Sequence, residues 1–498
     1  MQKFPCPVFS IVVCFLSAFV VDVALLLVVA AQQPATSDTT ALKRISESAR
    51  TRLEQLRAEA GFPGANFAFA LPDGASASVS VGVSDIVSQR PLAPTDLMLA
   101  GSVGKTFVAA TMLQLAQEGK VNLDDKIERW FKDDAWFKRL PNATSVTVRM
   151  LLNHSSGIPD QDLTKLGKAI RANPDRSWKP EELIAFVLGK KPLFAAGEGY
   201  SYADTNYLMV GMIIEHITGQ TLYSEVTRRF LKPLNLAHTI PQEGRVIPGL
   251  INGYTSDAAI AGPKGAMIVG GKFTFNPQCE WAGGGFASTA EDLAHWAKAL
   301  YEGQLIKQPY FDQMLTGIKT NIVNRYGLGV VIGEGVLGKS YGHDGEFPGY
   351  MSAMIYFPRY RVAVAIQFNT DRQDQLKYGL VGYLNDHLMR IIVLELTGKE
   401  YDDPLEPRQV VVDPNLYNAF VGQYQISPKM ILTVKKDGNR LIAQATGQNS
   451  AEIFPSSETE YFYRIRDAQI TFRKNDKGEV TSLVLTQAGF TLTAPKIK

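Results

Sequence analysis

From Ala41 to Ala60 leucines and charged residues recur at helical spacing, and Gly61-Phe62-Pro63-Gly64 ends the pattern. Two alternating apolar runs follow, Ala65 to Leu71 and Ala75 to Val83. They are joined at Pro72-Asp73-Gly74, whose proline and glycine favour a tight turn, so the pair predicts a β-hairpin. The run from Thr106 to Ala116 has neither proline nor glycine and is apolar almost all round, the pattern of a buried helix, and Gly119 supplies its stop. Residues 160 to 240 read as helices and loops, among them the loop Gly197 to Tyr207 feeding an apolar helix from Leu208 to Ile217. Ser288-Thr289 offers an N-cap for a helix from Ala290 to Tyr301. Two strands, Tyr350 to Phe357 and Arg361 to Phe368, meet at Pro358-Arg359-Tyr360, and a last helix is expected over about Lys377 to Leu396.

Beyond Asp402 the texture changes. Short alternating runs (Met430 to Val434, Leu441 to Ala445, Glu460 to Ile465, Ala468 to Phe472, Ser482 to Leu485) with turns at Asp437-Gly438 and Lys477-Gly478 predict a small all-β meander or barrel. The expected domains are therefore 41–400 and 410–498, with Asp402 to Pro407 as linker.

The N-terminus adds a targeting segment. Lys3 precedes apolar runs from Val8 to Val21 and Val23 to Ala31, split by Asp22 and ending in the small residues Val29-Ala30-Ala31. That is the pattern of a signal peptide over 1–31, followed by a polar linker over 32–40, and it implies export to the periplasm or medium. An uncleaved anchor is the rival reading, but Asp22 is costly at a bilayer centre, so no stable membrane span is expected in the mature form. Cys6 and Cys14 lie inside this segment, which leaves Cys279 alone and no internal disulfide. A formal net charge of +2 over 498 residues gives no electrostatic case for nucleic acid. Six scattered histidines and one thiol offer no recognised metal-ligand spacing, and neither a metal nor a cofactor is expected.

The candidate chemistry sits at Ala100-Gly101-Ser102-Val103-Gly104-Lys105-Thr106. Ser102 and Lys105 are three apart at a helix start, so they share a face, and the unpaired N–H groups of that terminus favour charge developing on an attacked carbonyl. A phosphate loop is excluded although Gly104-Lys105-Thr106 matches its end, because Leu99 stands where the pattern needs glycine. Taken alone, Tyr202 reads as a packing tyrosine and His343 as a structural residue at a strand edge.

In order, Ser102-x-x-Lys105, Tyr202-x-Asp204 and His343-x-Gly345 resemble the three active-site boxes of the serine β-lactamase and penicillin-binding-protein superfamily. They are most similar to the branch holding class C β-lactamases, D-amino-acid peptidases and family VIII esterases. Leu151-Leu152-Asn153-His154-Ser155-Ser156-Gly157, Asn206-Tyr207, Gly284-Gly285 before Ser288-Thr289, and Tyr326-Gly327-Leu328-Gly329 extend the likeness over about 45 to 395. The tail resembles lipocalin-like β domains.

The resemblance implies an α/β (α+β) fold: an antiparallel sheet flanked by helices, an all-helical lobe, and a cleft between them. It implies acylation of Ser102, with Lys105 and Tyr202 moving protons, and an oxyanion held by the N–H groups of Ser102 and Glu346. Asp204, His343, Gly345 and Glu346 are then the substrate-binding residues. His343 replaces the lysine of many relatives by a weaker, pH-dependent charge, and Asp204 replaces an asparagine. Both changes turn the expectation from β-lactams or D-Ala-D-Ala termini toward a small ester, amide or D-amino-acid peptide. With Asp204 beside Lys105 stabilising its ammonium, proton removal is expected to fall more on Tyr202, its phenolate held by the lysine's charge. A β-lactamase, a carboxypeptidase, and a non-catalytic peptidoglycan- or ligand-binding protein are the alternatives.

Overall fold

The computed structural model describes residues 39–256, 262, 264–320, 325–372, 387–399, 409–428, 430–448, 450–463, 468–487 and 490–497. The N-terminal segment, the linker 402–407 and most of the helix expected from Lys377 lie outside these; of that helix, Met389–Thr397 is described.

Alternation of large and small residues builds the central sheet. Its antiparallel order is Ile318–Lys319, Arg325–Tyr326, Val331–Gly335, Gly338–Phe347, Tyr350–Phe357, Val362–Phe368, Gly64–Ala70, Ser76–Asp85 and Arg90–Pro91. Successive strand residues face opposite sides. Phe67, Phe69, Val362, Val364 and Ile366 therefore pack against Ile45, Ala49, Leu53 and Leu56 of the helix Thr39–Ala60 and against Ile392 and Val393. Ala68, Ala70, Ala363 and Ala365 point the other way, and their small size lets the helix Ala290–Tyr301 lie close on that face. Thr289 caps this helix by accepting from Asp292 N. The expected hairpin forms, with Gly74 N donating to Leu71 O at 3.0 Å in its turn.

The buried helix Lys105–Gln117 joins the sheet layer to a lobe of short helices between Glu128 and Leu231. Phe107 stacks on Trp296 at 4.2 Å, and Trp296 Nε1 donates to Thr106 Oγ1 at 2.8 Å. An aromatic buried this way is worth about 3–5 kcal/mol against alanine, so the helix start is firmly anchored.

Gly422–Ser427 to Phe490–Pro495 form an eight-stranded antiparallel sheet in sequential order. Tyr424 bridges to Lys496, and Ile497 N donates to Gln423 O at 2.8 Å, so the last segment returns to the first strand in a barrel-like closure. Its separate core centres on Phe420, Tyr424, Tyr461 and Phe472.

Candidate functional site

Ser102 stands in a 3₁₀ turn, Gly101–Gly104, that runs directly into the helix Lys105–Gln117. The turn is pressed between two glycine-bearing segments. Gly101 has φ +53°, and a methyl group on it would lie 2.6 Å from Glu346 N; one on Gly345 would lie 2.0 Å from Ala100 O and 3.0 Å from Ser102 N. The Ser102 turn and the Gly345-Glu346 segment are thereby in close backbone contact. On the other flank a methyl on Gly104 would meet Gly284 O at 2.2 Å. Ser352 Oγ ties the strand Tyr350–Phe357 to the turn by donating to Ala100 O.

Lys105 is fully buried, and its ammonium has three partners for three protons. Nζ donates to Ser102 Oγ at 2.8 Å, to Gly283 O at 2.5 Å, and lies 2.5 Å from Asp204 Oδ1. The same nitrogen sits 4.9 Å from the Tyr202 ring centroid and 5.6 Å from that of Tyr207. Asp204 opens the helix Asp204–Thr218, but it does not cap it. That role falls to Asp160, whose Oδ1 accepts from Asp204 N at 3.0 Å and contacts Thr205 Oγ1 at 3.4 Å. Burial, then the charge of Asp204, pushes the Asp160 carboxyl up to about 6.

His154 holds Tyr202 in place. Its ring is buried, lies 4.2 Å from the Tyr202 ring, and through Nδ1 accepts from Ala203 N at 3.2 Å, with Asn206 Nδ2 at 3.1 Å. Burial holds His154 well below the ordinary histidine range, so the imidazole is neutral.

Two expectations need correcting. The Tyr202 phenol is not eased toward phenolate: burial raises it well above the usual tyrosine range, Asp204 adds to this, and the Ser102 hydroxyl only opposes it. Lys105 Nζ lies 4.9 Å from the ring centroid, and the Tyr202 hydroxyl has no hydrogen-bond partner among the described residues. Nor is His343 a cation facing substrate. Its ring is buried; Nδ1 lies 2.6 Å from the carbonyl of Asp344 and so carries the proton, which leaves Nε2 to accept from Tyr326 OH at 2.8 Å. Burial lowers its pKa accordingly.

Ser102, Asp204 and Glu346 line one cavity of about 270 Å³. Leu163, Leu166, Ile170, Leu208, Phe347 and Pro348 make its apolar wall. Four carboxyl groups also line it, those of Asp204, Glu280, Glu346 and Asp371. Among the described residues no lysine, arginine or histidine does. Asp371 ties loops together through Thr255 Oγ1, Ser256 N and Gly349 N. Glu280 and Asp160 were not legible in the sequence, since neither belongs to a box; the only hint was that Glu280 precedes the Gly283-Gly284-Gly285 run. Among the described residues no group of His, Cys, Asp or Glu is placed to hold a metal ion.

A mixed sheet-and-helix layer, a helical lobe, and a serine and lysine at the start of the helix between them define the serine hydrolases of β-lactamase fold. The β-lactamase family model matches residues 49–380, and the chain belongs to that family. A second model, a domain of unknown function (DUF3471), matches residues 406–497. Penicillin-binding protein 4* of Bacillus subtilis is 24% identical over 408 residues, covering 79% of this chain and 86% of that protein. Among solved structures, a D-stereospecific amidohydrolase from Streptomyces sp. is 25% identical with a TM-score of 0.58, covering 72% of this chain and 99% of that one. An octameric penicillin-binding protein homologue from Pyrococcus abyssi, 24% identical, covers 90% of this chain and 99% of its own, with a TM-score of 0.62, and so shares the fold. Among the described residues no helix is long and apolar enough to cross a membrane.

Proposed function

We propose that the protein is an exported serine hydrolase that works through an acyl-enzyme on Ser102, with an ester, amide or D-amino-acid peptide as substrate. The observation that carries this reading is the 2.8 Å contact from Lys105 Nζ to Ser102 Oγ at a cavity lined by Ser102 and Glu346. A carbonyl seated between the backbone amides of those two residues has its developing oxyanion stabilised, an effect worth about 3–4 kcal/mol per donor. With Lys105 as the free amine, Nζ accepts the Ser102 proton as the Oγ–carbon bond forms. The tetrahedral intermediate then collapses, the bond to the leaving group breaks, and the leaving group takes the proton of Tyr202, which Lys105 restores. Water then attacks the ester and the proton transfers reverse.

The Glu346 and Asp371 carboxyls on the cavity wall, with no cationic side chain lining it among the described residues, support a neutral or cationic substrate over an anionic β-lactam. The D-stereospecific amidohydrolase of similar fold and sequence supports the amide reading. The β domain over 410–498 is a lipocalin-like appendage outside the chemistry. Purified protein assayed on p-nitrophenyl acetate, D-phenylalanine amide and nitrocefin tests the substrate class. Turnover of the first two is expected. Nitrocefin as the best substrate would make it a β-lactamase, and no turnover or labelling at all would make it a binding protein.

A further inference from the structure

We infer that Glu280 is a specificity-determining residue whose carboxylate receives a cationic nitrogen, an ammonium, on the acyl part of the substrate. This rests on the reading of the cavity as a hydrolase site and names what the cavity selects. Of the carboxyl groups on its wall, Asp204 is paired with Lys105, and Asp371 is committed to Thr255, Ser256 and Gly349. Glu346 sits exposed on the segment in backbone contact with the Ser102 turn. Glu280 differs from all three. Its Oε2 accepts from Gln242 Nε2 at 2.7 Å, which fixes the side chain, while its Oε1, packed near the Cα of Gly284, has no hydrogen-bond partner among the described residues. One oriented acceptor therefore remains open, close to apolar walls that suit a hydrocarbon side chain.

Electrostatics agree. The groups that face Glu280 are Lys105 from the nucleophile helix, Asp204 from the helix Asp204–Thr218, Tyr223 from the helix Leu222–Val226, and its neighbour Cys279. The lysine is already neutralised by Asp204, so burial dominates and the Glu280 carboxyl is pushed up to about 8. A carboxyl left without a cation at this depth stays protonated near neutral pH; an arriving ammonium supplies the missing charge and releases that proton. Amine binding should therefore strengthen as pH rises through about 8, up to the amine's own pKa.

The test compares D-phenylalanine amide with 3-phenylpropanamide, the same acyl group without its amine, on wild type and Glu280→Gln, which keeps the hydrogen bond from Gln242. Wild type should favour the amine by about tenfold or more in kcat/KM, as one charge-assisted hydrogen bond permits. Glu280→Gln should lose that preference while hydrolysing the des-amino amide within about threefold of wild type. Equal losses on both amides, or a preference that survives the substitution, would overturn the inference. Binding of benzylamine against benzyl alcohol, read by thermal shift from pH 6 to 9, separates this from failure of the hydrolase reading. If benzylamine binds wild type selectively and Glu280→Gln does not, the cation site stands even without turnover. If the two compounds bind alike, it falls even with turnover.

Discussion

The carboxylate of Asp204 lies 2.5 Å from the buried ammonium of Lys105 while its own side chain stays 41% exposed to the cavity. One end of the pair reaches the serine and the other reaches solvent, so the charge state of the nucleophile's partner is open to whatever occupies the cavity. Lys105 Nζ is also 2.8 Å from Ser102 Oγ, so a change of charge at Asp204 acts directly on the group that must take the serine proton.

Asp204→Asn removes that charge and leaves the helix cap, which Asp160 provides, in place. The acid-side limb of the kcat/KM profile on a neutral ester should move to lower pH by about one unit or more. The ratio of nitrocefin to ester turnover should rise as well. An unchanged profile together with an unchanged ratio would show that the carboxylate has no electrostatic role.

Gly345→Ala places a methyl group 2.0 Å from the carbonyl of Ala100, a backbone atom that cannot yield without moving the Ser102 turn. Turnover should fall by about a hundredfold or more, the cost of losing one oxyanion donor. Steady-state kinetics on p-nitrophenyl acetate, with circular dichroism to verify folding, measures this; a folded variant of near-normal activity would contradict the geometry.

The raised carboxyl of Glu280 has a signature in stability. Its folded pKa of about 8 exceeds its ordinary value of 4.5, so between these the folded state binds the extra proton and its stability declines as pH rises. Below pH 4.5 the two states are alike. The difference in melting temperature between Glu280→Gln and wild type should therefore grow in favour of the variant from pH 5 to pH 9, by several degrees. A constant difference across that range would mean that Glu280 titrates normally.

The β domain has its own aromatic core, and none of the residues around Ser102 belongs to it. Truncation near residue 405 should leave esterase turnover within about tenfold of the full chain, because a single domain of ordinary stability survives loss of a neighbour. A folded but inactive truncate would show that the barrel completes the cleft.

Much of the architecture was written in periodicity. The apolar run from Ala65 to Leu71 predicted a strand, and the two faces of the strand that forms, Gly64–Ala70, serve two different helix layers. The helix after Ser102 was legible from its apolar run, but the 3₁₀ turn that carries the serine was not, because it is set by close packing against Gly284 and Gly345, far away in the chain. Spacing likewise brought Ser102 and Lys105 to notice, and the resemblance of the boxes added Tyr202 and Asp204. Neither could show that burial keeps the proton on Tyr202, that His343 is neutral behind Tyr326, or that Asp160 rather than Asp204 caps the helix. Those depend on which groups lose water on folding, and a sequence does not display that.

The acyl-enzyme on Ser102 is tested most directly by acid-quenching the protein during turnover of p-nitrophenyl acetate and mapping the adduct by peptide mass spectrometry. An acetyl group on the peptide that contains Ser102, absent from Ser102→Ala along with turnover, is the predicted result. The alanine variant loses one hydroxyl from a turn held by backbone packing, so its melting temperature should stay within a few degrees of wild type. A folded Ser102→Ala protein that hydrolyses the ester at the wild-type rate, or an adduct on another residue, would contradict the mechanism.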